Sequence, residues 1–162
     1  MTITVAVLTL SDKGSKGERE DLSGPAIGEL LKLIGAEVKL SEILPDEKKM
    51  IKEKLIELSG NVDLILTTGG TGLSPRDVTP DATLEIIDRE IPGIAEAMRA
   101  EGMKKTTRSM LSRAVAGVRG QTLIINLPGS PKAVEENLAV ILDTIPHAVE
   151  KIKGDTRECA RR

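Results

Sequence analysis

The chain has 162 residues, 40% of them hydrophobic and 30% charged, and 23 Lys and Arg against 25 Asp and Glu give a net charge of −2. That balance belongs to a folded globular chain and excludes a disordered or fibrous one and a general nucleic-acid binder, which would be basic. There is no Phe, Tyr or Trp, so the core must be aliphatic and aromatic stacking platforms for single-stranded nucleic acid are excluded. No apolar run approaches the ~20 residues of a membrane helix. The N-terminus lacks the basic start and cleavage-type end of a signal peptide. Cys159 is the only cysteine and His147 the only histidine; an internal disulfide is excluded, and the pair makes no zinc site. A cytoplasmic protein without membrane or nucleic-acid partners is expected.

Residues 4–10, Thr-Val-Ala-Val-Leu-Thr-Leu, read as a strand buried on both faces. A polar stretch covers 11–21. Residues 24–34 carry Ile27, Leu30, Leu31 and Ile34 at helical spacing, with Gly35 in the usual terminating position. Alternation over 37–43 predicts a strand exposed on one face. A helix is predicted over 46–58, with Met50, Ile51, Leu55 and Leu58 as its stripe. A third strand, 62–67, leads into a long loop. Helices start at 80 and 93, and 104–112 has no clear pattern. Two strands follow, 114–118 and 122–126, then a long helix over 131–153, bent at Pro146. Alternating strands and helices predict a three-layer α/β/α sandwich with a mostly parallel central sheet, as one domain over 1–162.

In such sheets ligands bind outside the carboxyl ends of the strands. The loop after the third strand, Gly69-Gly70-Thr71-Gly72-Leu73-Ser74-Pro75-Arg76-Asp77-Val78-Thr79-Pro80-Asp81, packs three glycines into four positions. Glycine lets backbone amides approach a ligand closely. Thr79 reads as an N-cap, Pro80 as the first helical residue, and the helix start adds a positive end. The loop lacks the lysine of a P-loop, and Pro75 breaks a dinucleotide fingerprint. A second loop has the same design: Pro128-Gly129-Ser130-Pro131-Lys132, with Ser130 as N-cap and Lys132 adding charge. Two such loops at one edge suit a ligand with more than one anionic group.

The other strand ends carry Ser11-Asp12 and Pro45-Asp46-Glu47. Asp46 also reads as a helix N-cap, and Asp77 as a turn residue. Carboxylates facing a phosphate pocket repel the ligand unless a cation such as Mg²⁺ intervenes. Arg76 could clamp phosphate oxygens as a planar fork. The cluster Lys104, Lys105, Arg108 and Arg113 reads as a solvated or contact face, with a place near the pocket open to Arg113 alone.

These motifs together resemble the molybdopterin-binding domain of the Mog/MoaB family. So do Thr9-Leu10-Ser11-Asp12, the 88–93 segment Asp-Arg-Glu-Ile-Pro-Gly, and Leu111-Ser112-Arg113-Ala114-Val115-Ala116-Gly117. The resemblance runs in family order over about residues 3–150. It implies a three-layer α/β fold, a molybdopterin pocket at the strand ends, and a role in molybdenum cofactor biosynthesis. The adenylyltransferase branch transfers AMP from Mg-ATP to the terminal phosphate of molybdopterin and releases pyrophosphate. Its two acids match Asp46 and Asp77, which would hold Mg²⁺. Its substrate loops match Gly69, Gly70, Thr71, Gly72 and Ser74, then Thr79 and Pro80, then Pro128, Gly129, Ser130 and Lys132, with Ser11, Asp12 and Arg76 alongside. A sister branch shares the fold and binds molybdopterin-like ligands as a carrier. The resemblance also implies a homotrimer or hexamer and contact with a molybdenum-insertion protein.

Overall fold

The computed structural model describes residues 1–157; Cys159 lies outside them. The elements run β1 (Thr4–Leu10), α1 (Asp12–Ser15), α2 (Ser23–Lys32), β2 (Glu37–Leu44), α3 (Lys48–Leu58), β3 (Leu64–Thr68), α4 (Thr79–Leu84), β4 (Arg89–Glu90), α5 (Pro92–Met103), a 3-10 turn (Thr107–Leu111), β5 (Ala116–Arg119), β6 (Thr122–Leu127), α6 (Pro131–Ile141) and α7 (Thr144–Ile152). The sheet order is β2-β1-β3-β6-β5-β4. The first four of these strands are mutually parallel, and β5 is antiparallel to both its neighbours.

Alternation along the buried strands divides the core in two. Val5, Val7, Leu64, Leu66, Leu123 and Ile125 face Ile27 and Leu31 of α2, Met98 of α5, Leu138 of α6 and Val149 of α7. Ala6, Leu8, Ile65 and Ile124 face Ile51 and Leu55 of α3 and Ala82 of α4. This is the expected sandwich, with the sheet between two helical layers. β2, at the sheet edge, is exposed at half of its residues and buried only at Leu44. Among the described residues no helix is long and apolar enough to cross a membrane.

Four local expectations are corrected. The single long C-terminal helix is two, separated at Leu142 and Asp143. Pro146 is the third residue of α7, where its missing N–H belongs to an unpaired first turn. A helix running through it would drive its ring into the carbonyl of Leu142, which is where the chain breaks. α3 starts at Lys48 with Glu47 at the N-cap position, so Asp46 does not cap α3. Thr79 is the first residue of α4 and not its N-cap, which is Val78. Part of the polar 11–21 stretch is the one-turn helix α1, N-capped by Ser11 accepting from the Gly14 amide at 2.9 Å.

Register aligns the working edge. Thr9 pairs with Ile43 and Thr68, and Thr68 pairs with Leu127. The loops after β2, β1, β3 and β6 therefore leave the sheet side by side.

Candidate active site

The glycine loop leaves β3 in a conformation other residues resist. Gly69 and Gly70 have φ of +95° and +67°. A Cβ on Gly69 would lie 2.4 Å from the Leu10 carbonyl oxygen, and one on Gly70 would lie 2.4 Å from Thr79 Oγ1 and 3.1 Å from Asp46 Oδ1. Glycine is required at both positions by dihedral and by space. The Thr79 hydroxyl donates to the Gly69 carbonyl at 3.0 Å, and its amide to the Gly70 carbonyl at 3.2 Å. The residue expected to cap α4 thus ties α4 to the loop.

The second loop lies against the first. A Cβ on Gly129 would sit 3.3 Å from Gly69 Cα. Thr68 Oγ1 donates to the Pro128 carbonyl at 2.6 Å, and Ser23 Oγ donates to the Gly129 carbonyl at 2.8 Å. Ser130 caps α6 as expected, its hydroxyl accepting from the Ala133 amide at 3.3 Å.

Beneath the loops runs a buried polar chain. Asn126, fully buried on β6, donates to the Thr67 and Thr83 hydroxyls at 3.0 Å each and accepts the Val115 amide at 3.2 Å. Thr83 in turn donates to the Thr79 carbonyl at 2.9 Å. Its polar groups are paired, so the network fixes α4 on the sheet with the desolvation of those groups offset by hydrogen bonds.

On the β2 side the acids are arranged reciprocally. The Asp12 amide donates to Asp46 Oδ2, and the Asp46 amide donates to Asp12 Oδ1, both at 3.0 Å. Arg76 grips Asp12 with Nε and Nη2 at 3.0 and 2.9 Å and reaches Glu47 at 3.1 Å. Its fork closes on carboxylates from the start of α1 and from the loop before α3. Those hydrogen bonds hold Asp12 below the usual carboxylate range. Asp77 Oδ2 accepts the Ser74 amide at 2.9 Å, closing a turn.

These loops surround a cavity of about 650 Å³. Of the residues expected at a site, Ser11, Asp46, Gly69, Gly70, Asp77, Gly129 and Ser130 line it. Asp12, Thr71, Gly72, Ser74, Arg76, Thr79, Pro80, Pro128 and Lys132 stand outside its wall; several of them tie the lining loops together. The cavity also takes in Thr9 of the Thr9-Leu10-Ser11-Asp12 motif and Thr68 at the head of the glycine loop, together with Arg19, Asp21 and Ser23, which were not expected at a site. Asp21 receives the Thr9 hydroxyl and the Gly24 amide, each at 2.9 Å. Its signal was present: an acid two residues before the start of a helix, three before a helical glycine. His147 lies on α7, away from this wall.

One atom stands apart. Asp46 Oδ1 is buried and has no hydrogen-bond partner among the described residues. Burial pushes the Asp46 carboxyl up; the Asp12 amide works against this, and the charges of Asp12 and Asp77 add to it. A buried, unpartnered carboxylate oxygen with a second carboxylate nearby fits a cation-binding role. Among the described residues no group of three or more His, Cys, Asp or Glu could hold a metal. A cation here would take two protein carboxylates at most and complete its shell with phosphate oxygens and water, as Mg²⁺ does.

An open α/β sheet with paired glycine loops and two acids at its carboxyl edge defines an α/β protein of the class that places a ligand site at the ends of its strands. The sequence pattern of the family described as "Probable molybdopterin binding domain" matches residues 6–147. A molybdopterin adenylyltransferase of Helicobacter pylori is 43% identical over 158 residues, spanning 95% of this chain and 90% of that protein. The molybdopterin adenylyltransferase of Escherichia coli is 37% identical over 175 residues, 98% of this chain and 90% of that one. The crystal structure of the molybdopterin biosynthesis enzyme MoaB from Thermus thermophilus superposes with a TM-score of 0.89 at 52% identity, covering 95% of this chain and 98% of that one. The chain belongs to the molybdopterin-binding family that these proteins share.

Proposed function

We propose that the whole chain acts as one molybdopterin-binding domain that adenylylates molybdopterin with Mg-ATP. A phosphate oxygen of molybdopterin attacks the α-phosphorus of ATP. The new P–O bond forms the anhydride of adenylyl-molybdopterin, and the α–β bridging bond breaks to release pyrophosphate. The nucleophile is already anionic, so no strong general base is required. What the protein supplies is placement and charge. The observation that carries this reading is the buried, unpartnered Asp46 Oδ1 on a cavity that also holds Asp77 and both glycine loops.

Asp46 and Asp77 would hold Mg²⁺, which supplies charge neutralisation for the phosphates when bound. Gly70 and the N-terminal end of α6 line the same space and suit anionic oxygens, while the Gly69 amide is committed to the Leu127 carbonyl at 3.2 Å. Asp12 and Arg76 hold the Asp46 loop in place through the hydrogen bonds described. The protein is proposed to work in the cytoplasm as a trimer or dimer of trimers and to hand its product to a molybdenum-insertion protein.

Incubation of the protein with molybdopterin and Mg-ATP tests this. One pyrophosphate released for each adenylyl-molybdopterin formed is the expected result. Tight molybdopterin binding without pyrophosphate release would replace the enzyme with a carrier of the sister branch.

A further inference from the structure

Arg113, the one member of the basic cluster with a place open beside the pocket, does not line the cavity. All three of its guanidinium nitrogens are committed to the segment that carries Asp77. Nε donates to the Gly72 carbonyl at 2.9 Å, and Nη2 donates to the Asp77 carbonyl. Nη1 and Nη2 also meet the Asp81 carboxylate at 3.1–3.2 Å. The Arg113 amide adds a hydrogen bond to the Thr71 carbonyl at 2.8 Å. The guanidinium holds Asp81 below the usual carboxylate range. The arginine itself is held from behind. Arg99 of α5 donates to the carbonyls of Ser112 and Ala114, the residues on either side of it, at 3.3 and 2.9 Å.

Resting on the reading above, we propose that Arg113 is a positioning residue for adenylyl transfer: it fixes the backbone of residues 71–81 so that Asp77 meets the cation and phosphates at the right place. Its charge is met by Asp81 and its donors by main-chain carbonyls, so it offers nothing to an anionic ligand directly. A planar fork reaching two carbonyls and a carboxylate at once is a task that lysine, a point charge with one nitrogen, cannot share. Arg99 extends the support into the α5 layer, so the loop is referenced to the helical core.

The test uses the full chain as Arg113→Ala, Arg113→Lys and Asp81→Asn, read in two ways. The first is steady-state turnover of molybdopterin and Mg-ATP. The second is Mn²⁺ affinity in the presence of ATP, followed by electron paramagnetic resonance, which needs no turnover. Arg113→Ala is expected to lower kcat by about 10²-fold, the scale of a reacting group misplaced by about 1 Å. Its KM for molybdopterin should stay within a few-fold of the parent, and its Mn²⁺ affinity should weaken by about tenfold. Arg113→Lys should fall between, and Asp81→Asn should shift both readouts the same way by less. If Arg113→Ala does not fold, Arg113→Lys carries the same criteria. Parent-like kcat and Mn²⁺ affinity in the folded variants would overturn the role. A uniform loss of active protein, with unchanged kcat per folded molecule, would also overturn it and leave a purely structural clamp. A parent protein that binds Mn²⁺ and ATP but releases no pyrophosphate would instead defeat the adenylylation reading, with the Mn²⁺ comparison still deciding the positioning role.

Discussion

Asp46 carries the sharpest conflict between stability and function. Its folded carboxyl titrates above its ordinary value, chiefly through burial. The folded state therefore binds that proton more tightly than the unfolded chain. The contribution to stability falls as pH rises from the ordinary carboxylate value through the raised one, and stays lower at neutral pH. Asp46→Asn keeps an acceptor for the Asp12 amide and removes the buried charge. In thermal scans of the ligand-free protein at pH 7, it should raise Tm by about 2–4 °C, the scale of 1 kcal/mol in a chain of this size. The gain should vanish below the ordinary carboxylate range, where both states are protonated. An unchanged Tm or a loss of stability would contradict the buried-charge penalty, since asparagine and aspartate serve equally as local hydrogen-bond acceptors. Because a metal needs the ionised form, divalent-cation affinity should climb with pH through the same raised titration.

At the scale of elements, the glycine loop is two devices in one. Gly70 is a backbone requirement: its φ is +67° and its missing Cβ leaves room for Thr79 Oγ1. Gly72 has no such φ, and a Cβ there would meet the Asp77 carboxylate at 2.9 Å. Gly70→Ala should cost about 1–2 kcal/mol or more of stability from the left-handed backbone alone. Gly72→Ala should leave Tm nearly unchanged and lower kcat by about tenfold through displacement of Asp77. Calorimetry with steady-state kinetics separates the two, and equal stability loss in both would contradict the division. Much of this edge was legible in sequence. Buried β-branched runs marked β1, β3 and β6, and the Ser130-Pro131 pair marked the start of α6. Three features were not legible. The two-residue β4 is too short for any period. The hydroxyl of Thr79 chose a tertiary acceptor over a cap. Arg76 and Arg113 read alike as free cations, because partners such as Asp12 and Asp81 lie 64 and 32 residues away.

At the scale of the molecule, an aliphatic core and four parallel strands bring loops from distant parts of the chain to one edge. Leu73, Leu84, Met110 and Leu111 stay 65%, 47%, 54% and 50% exposed, apolar surface that assembly would remove from water. Light scattering at micromolar concentration should give a trimer or its dimer; a monomer would contradict the proposed assembly. The proposed role of Asp46 and Asp77 is transfer and not merely retention of molybdopterin. It is tested most directly by measuring kcat and molybdopterin affinity together in Asp77→Asn, Asp46→Asn and the double variant. Each single variant should fold and bind molybdopterin within a few-fold of the parent, yet lose about 10²-fold or more in turnover, the scale for removing one electrostatic contributor to a transition state. The double variant should lose less than the product of the two, because in the proposed mechanism both acids act on one cation. Near-parental turnover in both single variants would contradict the account.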